Sequence, residues 1–189
     1  VDKDDISLLK RKKVASVEPS CSGFVLMLGI DKIYNSLSHH NIFFSEDYER
    51  EFRQIFEDKV MPEDPTIYIA NTSHTNPQDA PDGGSNLFIL ANAPYLNDNV
   101  NWTTEKKWCQ EQIIRKLQGH GLTNLRDHIQ YSNTITPRDF YQKYRSNKGS
   151  IYGTSSNGKL SAFMRPKNKS RSVKGLYLVG GSTHPGGGI

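Results

Sequence analysis

The longest apolar run in the chain covers residues 21–30, where Phe24, Val25, Leu26, Met27 and Leu28 follow one another between turn-forming residues. Its length and lack of alternation predict a strand buried on both faces. Shorter runs at residues 41–45, 66–70 and 86–93 predict further strands. A turn-rich stretch with Asn76-Pro77, Ala80-Pro81 and Asp82-Gly83-Gly84 separates the last two. Over residues 48–56 the spacing becomes helical. Tyr48, Phe52, Ile55 and Phe56 recur at i, i+4, i+7 and i+8, which predicts an apolar inner face and an acidic outer one. The longest predicted helix spans residues 104–118, around Trp108, Ile113, Ile114 and Leu117, and stops at Gly119 and Gly121.

Residues 123–128 read as a short helix or turn and residues 130–135 as a polar strand. Thr136-Pro137-Arg138-Asp139 opens another helix, with Thr as cap, Pro in first position and Asp in third. Phe140 and Tyr144 then share a face. Residues 6–13 can form a first helix, and residues 176–179 a last short strand. The sum is a mixed α/β (α+β) chain with antiparallel-capable strands, no repeats and no sign of two independent cores. At 189 residues, with 35% hydrophobic and 23% charged residues, it has the size and balance of a globular domain. No apolar run approaches the roughly 20 residues that cross a bilayer. Val1-Asp2-Lys3-Asp4-Asp5 opens without the apolar stretch of a secretory leader. The missing initiator Met, and an end one residue after Gly186-Gly187-Gly188, lead us to expect an excised piece of a longer protein.

Charge changes the picture in one region. Residues 137–174 carry ten Lys and Arg against the single acid Asp139, while the whole chain is only +4. Such a stretch can serve an anionic membrane, nucleic acid or simply solubility. Cys21, opening an apolar strand, and Cys109, on a helix, read as two buried reduced thiols. The adjacent His39 and His40 lack a third ligand at metal spacing and read as polar residues at a strand end, so no metal is expected. No Ser/His/Asp or Cys/His set is evident.

The sharpest chemistry lies at residues 176–189. Leu176-Tyr177-Leu178-Val179 runs straight into Gly180-Gly181-Ser182-Thr183-His184-Pro185-Gly186-Gly187-Gly188-Ile189. A loop of this kind lets backbone amides approach an anionic or planar ligand. By spacing alone it is an ordinary glycine-rich turn, neither G-x-G-x-x-G nor a Walker loop.

The segment resembles the C-terminal flavin-contacting motif of the phytoene desaturase type of FAD-dependent carotenoid desaturases and oxidases. Further motifs resemble that family in the same order: Ser22 to Gly29, His39-His40-Asn41-Ile42-Phe43-Phe44, Asp64-Pro65-Thr66-Ile67-Tyr68, Asp79-Ala80-Pro81, Thr136 to Phe140 and Gly149-Ser150-Ile151-Tyr152-Gly153. Within the family they are most similar to the diapocarotenoid branch of terminal oxidases and dehydrosqualene desaturases. Residues 144–153, and Gly180-Gly181-Ser182 with Pro185-Gly186-Gly187-Gly188, look like the oxidases, and Ser182-Thr183-His184-Pro185 like the desaturases.

The resemblance implies FAD as cofactor, with Gly180, Gly181, Ser182, Thr183, His184, Pro185, Gly186, Gly187 and Gly188 as the stretch that touches it. It implies an amine-oxidase-like flavoprotein in which residues 1–174 belong to the substrate-binding domain and residues 175–189 return to the flavin domain. The dinucleotide fingerprint of the Rossmann half is missing here and is expected upstream. The isolated piece is therefore expected not to hold FAD or be active alone. The expected substrate is a linear carotenoid or diapocarotenoid, desaturated or oxidised, with residues 24–28 and 87–90 as possible tunnel walls beyond their core role. The basic segment, given a water-insoluble substrate, then favours peripheral attachment to the cytoplasmic membrane face over nucleic acid. The alternative is a non-catalytic lipid- or polyene-binding module of the same descent.

Overall fold

The computed structural model describes residues 17–155, 165–170, 173–184 and 186. The helix expected at residues 6–13 lies outside them, as do Pro185, Gly187 and Gly188.

β1 (Ser22–Ile30) is the apolar run read from the sequence, and it occupies the interior of the sheet as its two-sided burial requires. β2 (His40–Phe43) is followed by α1 (Tyr48–Arg53), which Asp47 caps by accepting from the Arg50 amide. α1 widens into a π-helical turn, Gln54–Asp58, that ends at Lys59 with φ 55°. β3 (Ile67–Ala70) and β4 (Ser85–Ala93) flank two 3-10 turns, Thr72–His74 and Pro77–Asp79, where the proline-rich stretch was expected. α2 (Trp102–Gly119) leads through the 3-10 turn Leu125–His128 to β5 (Ile129–Ile135). α3 (Pro137–Tyr144) starts in a full capping box between Thr136 and Asp139.

The five strands form one antiparallel sheet in the order β2-β3-β4-β1-β5. Residues opposite one another in the register share a face. One face carries Phe24, Leu26 and Leu28 of β1, Leu87, Ile89 and Ala91 of β4, and Ile67 and Ile69 of β3. All eight are at most 2% exposed, and they pack on Cys109, Ile113, Ile114 and Leu117 of α2. Trp102, at the start of that helix, stacks on Phe24 with centroids 6.1 Å apart. The fold is thus two layers, a helix laid on one side of a sheet.

Two expectations need correcting. The helix after β2 faces the other way. Ile55 is buried as predicted, but Glu51 is buried beside it while Tyr48 and Phe52 stand 53% and 41% exposed. Glu51 tolerates burial because its carboxylate accepts from the Ser45 hydroxyl, the Thr66 amide and the Thr66 hydroxyl at 2.6–2.8 Å. The aromatic side chains left outside form a ladder, Tyr48–Phe52–Phe56, bordering a surface groove with Glu49 and Arg53. The second correction concerns residues 176–179, which do not form a strand. Only Tyr177 makes a bridge, to Lys169, and Val179 is 95% exposed. Those apolar side chains have no sheet to join among the described residues, so alternation without a partner strand yields only an isolated pairing.

Lys116 fixes the end of α2 to the loops around β2 and β3. Its ammonium donates to the Phe44 and Pro65 carbonyls and to Asp64 at 2.6–2.9 Å. Burial works against the Asp64 carboxylate, yet the hydrogen bonds from Lys116 and the Glu46 amide hold it below the usual range. Cys109 is buried and Cys21 half-buried, and both are free thiols. Burial pushes Cys21 up to about 11 and, with Glu105 nearby, Cys109 up to about 12, so both stay protonated and unreactive near neutral pH.

Candidate functional site

Among the described residues no helix is laid along the second face of the sheet. By the same register, one row runs Ile42, Tyr68, Leu90, Val25 and Ile135 across all five strands, and the next runs His40, Ala70, Phe88, Met27 and Asn133. At about 4.8 Å per strand each row is roughly 19 Å long. Ile42 is 56% and Phe88 39% exposed, and Tyr68, Leu90, Met27 and Ile135 are half-buried. This is an apolar surface on a sheet that already has a core on its other side. Of the residues expected as tunnel walls, Phe24, Leu26, Leu28, Leu87 and Ile89 belong to the core, and Met27, Phe88 and Leu90 to this open face; Val25 shares their side of the sheet but is covered, at 2% exposure.

One end of the face is closed by residues 149–155. They run beside the entry to β1, with Ile151 N–H donating to the Cys21 carbonyl, Ser20 N–H to the Gly153 carbonyl and Ser155 N–H to the Glu18 carbonyl. No apolar periodicity along residues 149–155 announces this pairing. Gly149 is fixed by geometry: with φ +73°, an added Cβ would lie 2.2 Å from the Pro137 carbonyl. Gly23 opens the face for Ile151 and Leu90, whose Cδ1 atoms lie 3.4 and 2.8 Å from the position of a Gly23 Cβ. Two residues after Ile151, Gly153 at φ +75° meets Ser182 of the glycine-rich loop, where an added Cβ would stand 2.6 Å from Oγ.

The loop itself is a closed turn. Thr183, buried, donates from its hydroxyl and its amide to the Gly180 carbonyl at 2.7 and 3.0 Å. His184 N–H donates to the Pro166 carbonyl, and Leu178 N–H to that of Asn168. Arg165 clasps the turn: its guanidinium donates to the Gly181 carbonyl and, at 3.2 Å, to that of Tyr152, and lies against Gly186. Arg165 could not be singled out by sequence, since it sat among many cations of a basic stretch. Gly180, Gly181, Ser182 and His184 are exposed and Gly186 is half-buried, so the structure brings the described candidates together on one surface. Gly180 has φ +122° and nothing within 4 Å of where a Cβ would stand, and Gly186 has φ +120°. Exposed backbone without side chains, backed by a guanidinium, suits close approach of a planar or anionic group. The residues present therefore fit one edge of a flavin.

Elsewhere the basic stretch is partly engaged: Arg138 donates to Thr103, Lys143 lies 3.7 Å from Asp139, and Lys148 and Lys169 sit over Tyr95 and Tyr177. Among the described residues no group of three or more His, Cys, Asp or Glu could hold a metal, and no helix is long and apolar enough to cross a membrane.

The class defined so far is an α+β domain whose antiparallel sheet is sealed by a helix on one face and leaves an apolar face open beside a glycine-rich turn. No protein-family model matches the chain. It is 40% identical over 189 residues to a 4,4'-diaponeurosporene oxygenase of Staphylococcus haemolyticus, covering 98% of this chain and 38% of that protein. It is 42% identical over 172 residues to proteins of the same name from two strains of Staphylococcus aureus, covering 91% of this chain and 35% of each. The chain is a homologue of these oxygenases over nearly all its own length, and spans a little more than a third of theirs.

Proposed function

We propose that this chain is the polyene-binding portion, with one flavin-contacting edge, of an FAD-dependent oxidoreductase of carotenoid biosynthesis. Its substrate would be a linear diapocarotenoid, oxygenated as the relatives' names suggest, with a terminal methyl group as the proposed position. The observation that carries this reading is the seam between Gly153 and Ser182. It joins the glycine-rich turn to the end of the sheet's open apolar face, so a cofactor held at the turn would border a wall fit for a hydrocarbon chain.

Bound FAD would supply a two-electron acceptor for hydride removal from a carbon next to the conjugated system. The residues of this chain bind and orient. Gly180, Gly181 and Gly186 admit the ring system closely, Thr183 and Arg165 keep the turn in shape, and Ser182 and His184 face outward beside it. Met27, Phe88, Leu90 and Ile135 keep water from the polyene. Residues 1–174 would form the substrate domain and residues 175–189 the return to the flavin domain. Exposed cations along residues 137–174 would favour the anionic inner surface of the cell membrane, where such a substrate dissolves.

The test is the full-length protein purified with its flavin and supplied with diaponeurosporene. Flavin absorbance and an oxygenated product are expected. Gly180→Val forces a β-branched residue to φ +122° and should lower flavin retention by tenfold or so. Polyene binding without turnover or flavin would instead favour the non-catalytic module.

A further inference from the structure

The open sheet face carries a coupled pair of polar side chains at its β2–β3 side, while Asn133 stands at the opposite edge on β5. His40 and Tyr68 both project from that face, with His40 Nδ1 2.8 Å from the Tyr68 hydroxyl. Their rings stack at 21° with centroids 5.9 Å apart. His39 braces the pair from behind, its ring 4.4 Å from that of His40 and its Nδ1 2.6 Å from the Thr75 hydroxyl. Ile42 and Leu90 adjoin Tyr68 along one row, and Ala70 and Phe88 follow His40 along the next.

A neutral imidazole and a phenol carry two protons between them, and their mutual bond uses one. If Tyr68 donates to Nδ1, His40 keeps an Nε2–H. If His40 donates from Nδ1, Tyr68 keeps its O–H. Either tautomer leaves one donor for an acceptor on a ligand. An unadorned hydrocarbon has no acceptor and would gain nothing from a donor on this wall. A chain carrying a hydroxyl or carbonyl oxygen would.

Resting on the reading of this face as a polyene site, we propose that Tyr68 and His40 are specificity-determining residues that bind an oxygen function on the polyene. The site then holds an oxygen-bearing chain in preference to the parent hydrocarbon. The pair lies two to three strand spacings from β1, roughly 10–14 Å, so it contacts the chain away from the segment that borders the glycine-rich turn. A chain oxygenated at one end could in this way be held with its remaining, unoxidised portion at the turn.

The experiment uses the full-length flavoprotein and two probes, diaponeurosporene and the same chain with a terminal aldehyde, titrated by the shift in polyene absorbance. Wild type should bind the aldehyde more tightly. Whichever of Tyr68→Phe and His40→Leu removes the donor facing the ligand should weaken aldehyde binding about tenfold, as expected for one lost hydrogen bond, and leave the hydrocarbon within about twofold. The other substitution, which leaves that donor in place, should lower aldehyde affinity by less, because the donor loses only its orientation. Equal binding of both probes by wild type, or equal loss of both in Tyr68→Phe, overturns the inference while leaving the polyene site intact. Failure of wild type to bind either probe overturns the site reading and the inference together.

Discussion

Ile89 and Phe88 are neighbours on β4, yet they belong to different chemistries. Ile89 is fully buried between the sheet and α2, whereas Phe88 is 39% exposed on the face that no helix lies along. The sealed face holds large aliphatic side chains meeting their like, which is how a small domain obtains its stability. The open face offers the same residue types to solvent at a cost, since exposed apolar area gains nothing from folding. Apolar surface that folding leaves exposed marks a face that meets another partner. On the reading proposed above that partner is the polyene, and the two faces divide stability from recognition within single strands.

The largest effect should come from attacking the sealed face. Ile89→Ala removes a fully buried branched side chain and should destabilise by about 2–5 kcal/mol in chemical denaturation. Phe88→Ala should cost less than about 1 kcal/mol and instead weaken polyene binding by the full-length enzyme. If the two variants lost the same stability, the division between the faces would be wrong.

How much of this was legible in the sequence follows from the same division. β1, β4, α2 and the Thr136 cap were readable because apolar period and capping chemistry are local. The parity within β4, with Leu87 and Ile89 on one side and Phe88 and Leu90 on the other, was invisible because both sets are apolar. Only pairing with β1 and β3 shows which set meets α2. The helix after β2 misled for a related reason: Tyr48 and Phe52 carry the apolar signal, but Glu51 finds three hydrogen bonds inside and takes the inner position. At the glycine-rich turn, family resemblance marked the residues, while Arg165 and the meeting of Gly153 with Ser182 emerged only through contacts between distant segments.

An intermediate effect is expected at the seam between the open face and the turn. Gly153→Ala places a Cβ at φ +75° and within 2.8 Å of Ser182, so the turn must move. A stability loss of roughly 1–2 kcal/mol should accompany it. Flavin retention by the full-length protein should fall, while the near-ultraviolet signal of Trp102 in the sealed core stays as in wild type. A changed Trp102 signal would mean that the seam and the core are not separable.

The smallest effect concerns the cap that sets α3 after β5. Burial of Asp139 works to raise its pKa, but donation from the Thr136 amide and hydroxyl, with Lys143 and Lys106 nearby, holds it below the usual carboxylate range. A carboxyl depressed on folding stabilises above its unfolded pKa, and that contribution fades as pH falls through the lower folded value. Thr136→Ala removes the hydroxyl donor and should cost about 1 kcal/mol at neutral pH. The difference from wild type should shrink as pH drops below about 4, because protonated Asp139 no longer benefits from that donor in either protein. Polyene affinity should stay unchanged throughout, since the Thr136 and Asp139 side chains bond to each other rather than to the rows of the open face; a parallel loss of affinity would show that α3 sets the end of that face as well as its own start.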